Sequence, residues 1–292
     1  SAASDVYKRQ LTDTDSLQII LAAVNDAPIA VDDSATAMEA GGTNNAIDGV
    51  DPRGNLLSND IDVDIATNAD RLRVISIGPN NGASTSLPAS GVVVITGQYG
   101  NLIVGSNGSY QYRVDNNNPA VEALRQAGQT LVDRFDYVVS DLAGATDGAT
   151  LTVTIQGAND TPVGVDDQGV AMEAGGVLNG TPGSDATGNV LSNDTDVDSV
   201  ANGETKAVTG IRHGPELNPG TFTTVGGATS VIGLYGTLTI NPDGSYRYVV
   251  DNDNVNVQRL NAGQQLSESF SYRLTDAGGL DDVAQLLSLI HI

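Results

Sequence analysis

The chain of 292 residues contains no cysteine and no tryptophan, and aromatic residues make up only 4% of it. Without thiols there are no disulfides and no thiolate metal sites. Stability outside the cell must then come from packing or from hard cations bound through oxygen. Cationic side chains are scarce: 13 Lys and Arg stand against 36 Asp and Glu, a formal net charge of -23. So negative a surface excludes nucleic acid and anionic membrane as partners, since both are held by Lys and Arg, and it attracts cations. No apolar run approaches the roughly 20 residues that cross a bilayer, so no membrane insertion is expected. What is abundant is glycine, at 34 residues, together with Asp, Asn, Thr and Val. That composition suits short strands joined by many turns, and regular apolar strand patterns argue against disorder.

The two ends do not read like the rest. Residues 1–4, "SAAS", and Asp5–Gln10, "DVYKRQ", match the translation of a sequencing-library adapter, and Leu287–Ile292, "LSLIHI", matches its reverse complement. Both segments are read as adapter-derived and kept out of fold reasoning. On that reading Leu11 to Leu286 is an internal piece of a longer gene product. Setting aside Lys8, Arg9 and Asp5 leaves 11 basic and 35 acidic residues, with Lys206 the sole lysine and His213 the sole histidine once His291 is also removed.

Self-similarity is the strongest internal signal. "NDAPIAVDDSATAMEAGG" at 25–42 returns as "NDTPVGVDDQGVAMEAGG" at 159–176, and "GNLLSNDIDVD" as "GNVLSNDTDVD". "YGNLIVGSNGSYQYRVDNNN" returns as "YGTLTINPDGSYRYVVDNDN", and "AGQTLVDRFDY" as "AGQQLSESFSY". The offset drifts between 134 and 136, which places short indels in loops. The expected organisation is therefore residues 11–24 as the last strand of a preceding repeat, 25–158 as one full repeat and 159–286 as a second, cut within its last strand.

Local patterning is mostly strand. "LTVTI" alternates Leu151, Val153 and Ile155 with threonines, the period of a half-buried strand. Asn107-Gly108 and Asp243-Gly244 supply hairpin turn chemistry. Tyr110, Tyr112, Phe135, Tyr137, Tyr246 and Tyr248 fall on strand faces that suit core packing. "NPAVEALRQAG", 118–128, is one helical turn, with Pro119 at its start and Gly128 at its end. Short strands at turn-rich spacing in a module of about 134 residues predict an all-β fold of tandem antiparallel β-sandwiches.

Several of these motifs, in this order, resemble a known family. "DGSYRYVVDNDN", "NNNPAVEALRQAGQTLVDRFDYVVSD" and "ATLTVTIQGAND" resemble the VCBS repeat of very large bacterial surface proteins. "NDAPIAVDDSATAMEAGG" followed by "GNLLSNDIDVD" resembles the cadherin-like modules interleaved with such repeats, including those of rhizobial adhesion proteins. The resemblance covers essentially all of residues 11–286. It implies an immunoglobulin- or cadherin-like sandwich repeated along a secreted, RTX-type adhesin of the cell surface and biofilm, exported by a type I route. The Gly-Gly-x-Gly-x-Asp nonapeptide of such proteins does not occur in this sequence.

The acidic motif poses the chemical question. Asp60, Asp62 and Asp64, and again Asp194, Asp196 and Asp198, alternate so that an extended strand would carry them on one face about 6.6 Å apart. Repulsion between neighbours is only about 0.6 kcal/mol in water, rising to roughly 2.5 at an effective dielectric near 20. It does not by itself demand a cation, and a solvated acidic edge that resists aggregation is the plain alternative. An EF-hand fails on spacing. With the first aspartate as position 1, Ile65 or Ser199 stands where glycine is needed, and Arg71 or Thr205 where the bidentate Glu is needed. A cadherin-style calcium site gathers ligands from several segments near a junction, which is what the resemblance implies here. The linker supplies Asp26 or Asp160, the following stretch supplies Asp32 and Asp33 or Asp166 and Asp167, and Glu39 or Glu173 comes next. The aspartate triplets would complete the set with six to eight hard oxygens. Asp141 and Asp276 read as turn formers through Asx hydrogen bonds.

Catalysis finds no support: His213 is solitary, and no nucleophile elbow, phosphate loop or cysteine nucleophile occurs. The expectation is a non-enzymatic, extracellular adhesive spacer stiffened by Ca²⁺. Its partners would be neighbouring repeats and a cell-surface or matrix polysaccharide or protein. The rivals are a carbohydrate-binding module using exposed tyrosines, among Tyr99, Tyr110 and Tyr235, and a metal-free spacer.

Overall fold

The computed structural model describes residues 18–20, 22, 24–65 and 70–292. Of the strand expected over 11–24, only residues 18–20, 22 and 24 lie among the described residues, and residues 1–10 lie outside them. Gln18, Ile19 and Ile20 are exposed. From Ile29 onward the chain folds as two successive β-sandwiches with separate cores.

The first sandwich holds β1 (Asp33–Met38), β2 (Arg53–Asn55), β3 (Arg73–Pro79), β4 (Thr85–Ser86), β5 (Val92–Thr96), β6 (Gly100–Gly105), β7 (Ser109–Val114), β8 (Thr130–Ser140) and β9 (Thr146–Gln156). One sheet runs β1-β9-β8-β3-β4 and the other β2-β7-β6-β5. The second sandwich repeats this with β10 (Asp167–Met172), β11 (Ala186–Asn189), β12 (Ala207–His213), β13 (Thr223–Thr224), β14 (Thr229–Ile232), β15 (Gly236–Ile240), β16 (Ser245–Val250), β17 (Gln265–Thr275) and β18 (Asp281–His291). Its sheets are β10-β18-β17-β12-β13 and β11-β16-β15-β14. Even the bulge is copied, falling between Val74 and Ser76 and again between Val208 and Gly210.

One pairing departs from a purely antiparallel sandwich: β1 runs parallel to β9, and β10 parallel to β18. The reason is the direction of the chain. A repeat that is entered at one pole and left at the other has first and last strands pointing the same way, so laying them side by side makes a parallel pair.

Alternation explains which residues are inside. In β9, Leu151, Val153 and Ile155 are fully buried while the threonines between them are partly exposed. They pack with Phe135 and Tyr137 of the neighbouring strand β8 and with Leu102 and Tyr112 of the opposite sheet. Tyr248, Phe270, Tyr272 and Leu286 repeat the arrangement. The β6–β7 turn needs Gly108, at φ 79, because a Cβ there would collide with Asn55 Oδ1. The stretch at 118–128 makes a single helical turn: the Glu122 N–H donates to the Asn118 carbonyl at 3.0 Å, and Asn118 Oδ1 caps the Ala120 N–H.

At the end of β18 the pattern changes. Ser288 occupies the inward position that Val153 holds in the first repeat, is 1% exposed, and leaves its hydroxyl without a hydrogen-bond partner among the described residues. Leu287 and Leu289 take the partly exposed positions of Thr152 and Thr154. Leu287–His291 thus pairs as strand; Leu287, Ser288 and Leu289 break the rule that apolar side chains point inward, while Ile290 keeps it, fully buried in the core.

Each core contains one buried acid that ties the two sheets. Asp133, 4% exposed, accepts bonds from the Gln98 N–H (2.9 Å), the Tyr99 N–H (3.1 Å) and the Tyr112 hydroxyl (2.7 Å). Glu268 does the same for the Leu234 and Tyr235 N–H groups and the Tyr248 hydroxyl. Asp133→Ala would strand three donors, at about 1–3 kcal/mol for each buried group left unpaired. The expected result in urea denaturation is a loss of about 3 kcal/mol or more from the first repeat, with the transition of the second unchanged.

Candidate metal centre

The joint between the sandwiches concentrates acids from both. Glu39, just beyond β1, is 1% exposed, and its Oε1 accepts the Ala158 N–H at 2.8 Å. The linker brings Asn159 and Asp160, and the loop after β11 brings Asp196, Asp198 and Glu204. Asp276 comes from the turn after β17. Four of these side chains are pinned in sequence: the Asp160 N–H donates to Asp198 Oδ2 (2.9 Å), and the Asp198 N–H donates to Asp196 Oδ1 (3.0 Å). Asn159 Nδ2 donates to Asp276 Oδ2 (2.7 Å).

These bonds use only some of the oxygens. Glu39 Oε2, Asn159 Oδ1, Asp160 Oδ2, Asp196 Oδ2 and Asp198 Oδ1 are buried with no hydrogen-bond partner among the described residues. Glu204 Oε2 faces only the Arg125 guanidinium, at 3.8 Å. An orphaned buried carboxylate oxygen is costly, so several at one place need an explanation. Burial, reinforced by the charges of Asp160, Glu122 and Asp198, pushes the Glu39 carboxyl up to about 9 against the bond from Ala158. Asp160 rises to about 7 through burial and then the charges of Glu122, Asp198 and Asp196. Asp198 reaches about 7 by burial and then its acidic neighbours Asp196, Glu204 and Asp276, and Asp196 about 6 by burial with Glu204 and Asp276. The donor set is all oxygen, carboxylate-rich and charged well beyond its cations, which fits Ca²⁺ and does not fit a soft metal.

The outer pole of the first repeat carries the same device. The Asp26 N–H donates to Asp64 Oδ2 (2.9 Å), the Asp64 N–H to Asp62 Oδ1 (2.8 Å), and Asn25 Nδ2 to Asp141 Oδ2 (2.7 Å). One oxygen each of Asp62, Asp70 and Asp141 lie within 4.8 Å of one another. Ligands that share one Ca²⁺ at 2.3–2.6 Å can be at most about 5 Å apart, so this trio has the right reach.

The remaining acids singled out in the sequence lie along the flank of each sandwich and are engaged as fasteners. Asp60 and Asp194 accept the Val31 and Val165 N–H groups at 2.8 and 2.7 Å. Asp32 and Asp166 accept the Thr150 and Gln285 N–H groups. Asp33 and Asp167 accept the hydroxyls of Tyr137 (2.7 Å) and Tyr272 (3.0 Å). Glu173, the counterpart of Glu39, is buried at the far pole of the second repeat, with Oε2 unpartnered among the described residues and its carboxyl raised by burial.

Two participants escaped the sequence reading. Asp70 and Glu204 each lie six residues past the aspartate triplet, acidic in both copies, and that shared register was the available signal. Asp141 and Asp276 do form the expected Asx turns, Asp141 Oδ1 accepting the Gly144 and Ala145 N–H groups at 2.5 and 2.8 Å. Their second oxygens nevertheless face the cluster, a role that turn chemistry alone does not reveal.

Repeated cadherin-type sandwiches with acids gathered at their joints define the class, and the sequence comparisons agree. The chain belongs to the bacterial cadherin-like domain family, whose sequence model matches residues 25–157 and 159–290. The calcium-binding lectin RapA2 of Rhizobium johnstonii is 29% identical over 259 residues, covering 88% of this chain and 93% of that protein. Among solved structures, repeats EC1–3 of mouse protocadherin-24 are 12% identical, covering 91% of this chain and 70% of that one, with a TM-score of 0.40. Repeats EC22–24 of mouse cadherin-23 are 12% identical over 91% and 67%, with a TM-score of 0.41. Among the described residues no helix is long and apolar enough to cross a membrane.

The raised carboxyls fix the sign of the pH response. A carboxyl whose folded pKa exceeds its unfolded value stabilises the fold while protonated and loses that contribution as pH rises through the folded value. In EDTA, the melting temperature is expected to fall between about pH 5 and pH 9, as Asp196, Asp198, Asp160 and finally Glu39 ionise. Because Ca²⁺ competes with those protons, the calcium-induced rise in melting temperature should be larger at about pH 8 than at pH 5. A metal-free melting temperature that climbs over this range would contradict the assignment.

Proposed function

We propose that this chain is an adhesive spacer segment of a large extracellular bacterial protein, stiffened by Ca²⁺ at the joints between its repeats. The carrying observation is the set of buried, unpartnered oxygens of Glu39, Asp160, Asp196 and Asp198, which come from two successive repeats and lie near enough that Asp160 and Asp198 raise the Glu39 carboxyl. In this reading Glu39, Asp160, Asp196, Asp198 and Asp276 hold the joint ion, and Asp62, Asp70 and Asp141 hold its counterpart at the outer pole. The cation supplies positive charge that offsets the repulsion. The protein's own contribution is to fix the carboxylates by backbone hydrogen bonds before the ion arrives. Secretion by a type I route, a surface location and the VCBS-like character of the hairpin motifs belong to the same reading. So does the adapter origin of residues 1–10 and Leu287–Ile292.

A second reading concerns the ligand. The similarity to a protein named as a calcium-binding lectin favours saccharide recognition within the same adhesive function. An exposed aromatic platform has little support, since Tyr99, Tyr110 and Tyr235 are half-buried against the cores.

Occupancy of a site at a hundred times its Kd adds about 2.7 kcal/mol, worth about 5–10 °C in a domain of this size. Adding 10 mM CaCl₂ to the EDTA-treated chain is expected to raise the melting temperature by that amount and to alter its hydrodynamic radius. The double variant Asp196→Asn, Asp198→Asn should melt higher than the parent in EDTA, because repulsion is relieved, and should lose most of the calcium increment. No response of the parent to calcium would sink the proposal.

A further inference from the structure

An edge strand leaves a row of backbone N–H and C=O groups with no ladder partner, open to pairing with another chain unless something guards it. The first sandwich has four such edges, β1 and β4 in one sheet and β2 and β5 in the other. Three are guarded. β1 opens on Asp33 and ends at the Met38–Val50 bridge, β2 is three residues long with Arg53 following Asp51 and Pro52, and β4 is two residues long. β5 has no such protection. Its sequence, "VVVIT", contains no charge and no proline, it pairs with β6 without a bulge, and no strand borders its other side among the described residues.

The surroundings of this edge are equally bare. Between Arg73 and Arg113 no residue is charged, although the chain as a whole carries -23. Val93 and Ile95 turn toward the core, while Val92 and Val94 point outward and are each 60% exposed. Val94 stands opposite the half-buried Ile103 of β6, so an apolar strip runs beside the open backbone. Aliphatic side chains on both faces are the pattern of a strand inside a sheet rather than at its margin.

The distribution of charge indicates the partner. Two copies of so acidic a chain repel each other wherever carboxylates face, but at this edge their backbones can close to the strand spacing of about 4.8 Å with no charged side chain opposed. A cationic partner would be drawn to the acidic poles instead. The strand is also self-complementary. With a two-fold axis beside Val94, Val94 meets its own copy, Val92 meets Thr96 and Val93 meets Ile95, so inward residues stay inward.

We infer that β5 is a lateral docking edge, at which two copies of this chain pair as antiparallel strands and join their sheets into one. The pairing needs no cation and stands apart from the calcium reading. A strand of five residues covers less than the roughly 1,000 Å² of a stable interface. Each contact is therefore weak, and its strength comes from chains already held side by side.

The absence of cysteine makes the register directly measurable, since a single introduced thiol has no competitor. Opposed antiparallel residues have Cα atoms about 4.5–5.5 Å apart, within reach of a disulfide. In the whole chain under mild oxidation, Val94→Cys is expected to form a covalent dimer at least tenfold faster than Thr36→Cys, an exposed control on β1. Val92→Cys should be as slow as the control, because its two copies would lie four residues, about 13 Å, apart. Mixed with Thr96→Cys, it should crosslink rapidly. In sedimentation, Val94→Lys should remain monomeric at concentrations where the parent associates, and an equal mixture with Val94→Glu should associate again. The inference is overturned if Val94→Cys crosslinks no faster than Thr36→Cys, if Val92→Cys crosslinks with itself as fast as Val94→Cys, if Val94→Lys associates like the parent, or if the parent grows into fibres rather than dimers.

Discussion

Carboxylate oxygens withdrawn from water without a counter-charge are the constraint around which the rest of this structure is arranged. At the joint Asp160 and Asp198 raise the Glu39 carboxyl, Asp198 and Asp196 raise Asp160, and Asp196 raises Asp198, while backbone N–H groups occupy only one oxygen of most pairs. Arg125, opposite Glu204, and Lys206, which bonds the Asp194 carbonyl, are too little cation to balance them. A set of charges that repels itself in a low-dielectric place is unstable alone and favourable around a divalent ion. The sandwiches on either side act as rigid mounts for this arrangement. The parallel first and last strands direct the chain from pole to pole, so the joint has Glu39 below and the aspartate loop of the second repeat above, and Glu173 stands at the far pole of that repeat.

The many acids of this chain divide their work by location. Asp133 and Glu268 are core fasteners, each satisfying three donors between the sheets. Asp32, Asp33 and Asp60, with Asp166, Asp167 and Asp194, staple the entering segment to the last strand and to the core tyrosines. The acids at the poles keep oxygens free for something else, and on the flank Asp60 Oδ2 is likewise unpartnered among the described residues. The same side chain can serve both purposes: Asp141 closes a turn with one oxygen and faces the cluster with the other.

Much of this was legible in one dimension. The repeat register identified the sandwiches, the alternation of Leu151, Val153 and Ile155 identified a buried strand, and the glycine turns identified the hairpins. Those signals are local, since strand period and turn chemistry act over a few residues. The acids of the linker and the triplets were equally visible as a recurring set. Their grouping was not, because Asp60 and Asp62 are two residues apart in sequence and yet serve a backbone N–H on the flank and a cluster at the pole respectively. Asp70 and Glu204 were overlooked because they belong to no motif of their own.

Sequence by itself determined the composition of the site: all oxygen, no sulfur, recurring at each repeat, and charged enough to attract a cation. Tertiary structure alone decided which oxygens remain unpaired, that the joint draws Glu39 from one repeat and Asp198 from the next, and that Tyr112 and Tyr248 face inward. The physical reason is that hydrogen-bond satisfaction and burial depend on contacts between segments more than a hundred residues apart, such as Asn25 with Asp141 or Ala158 with Glu39. No pattern confined to a short stretch of chain specifies contacts of that range.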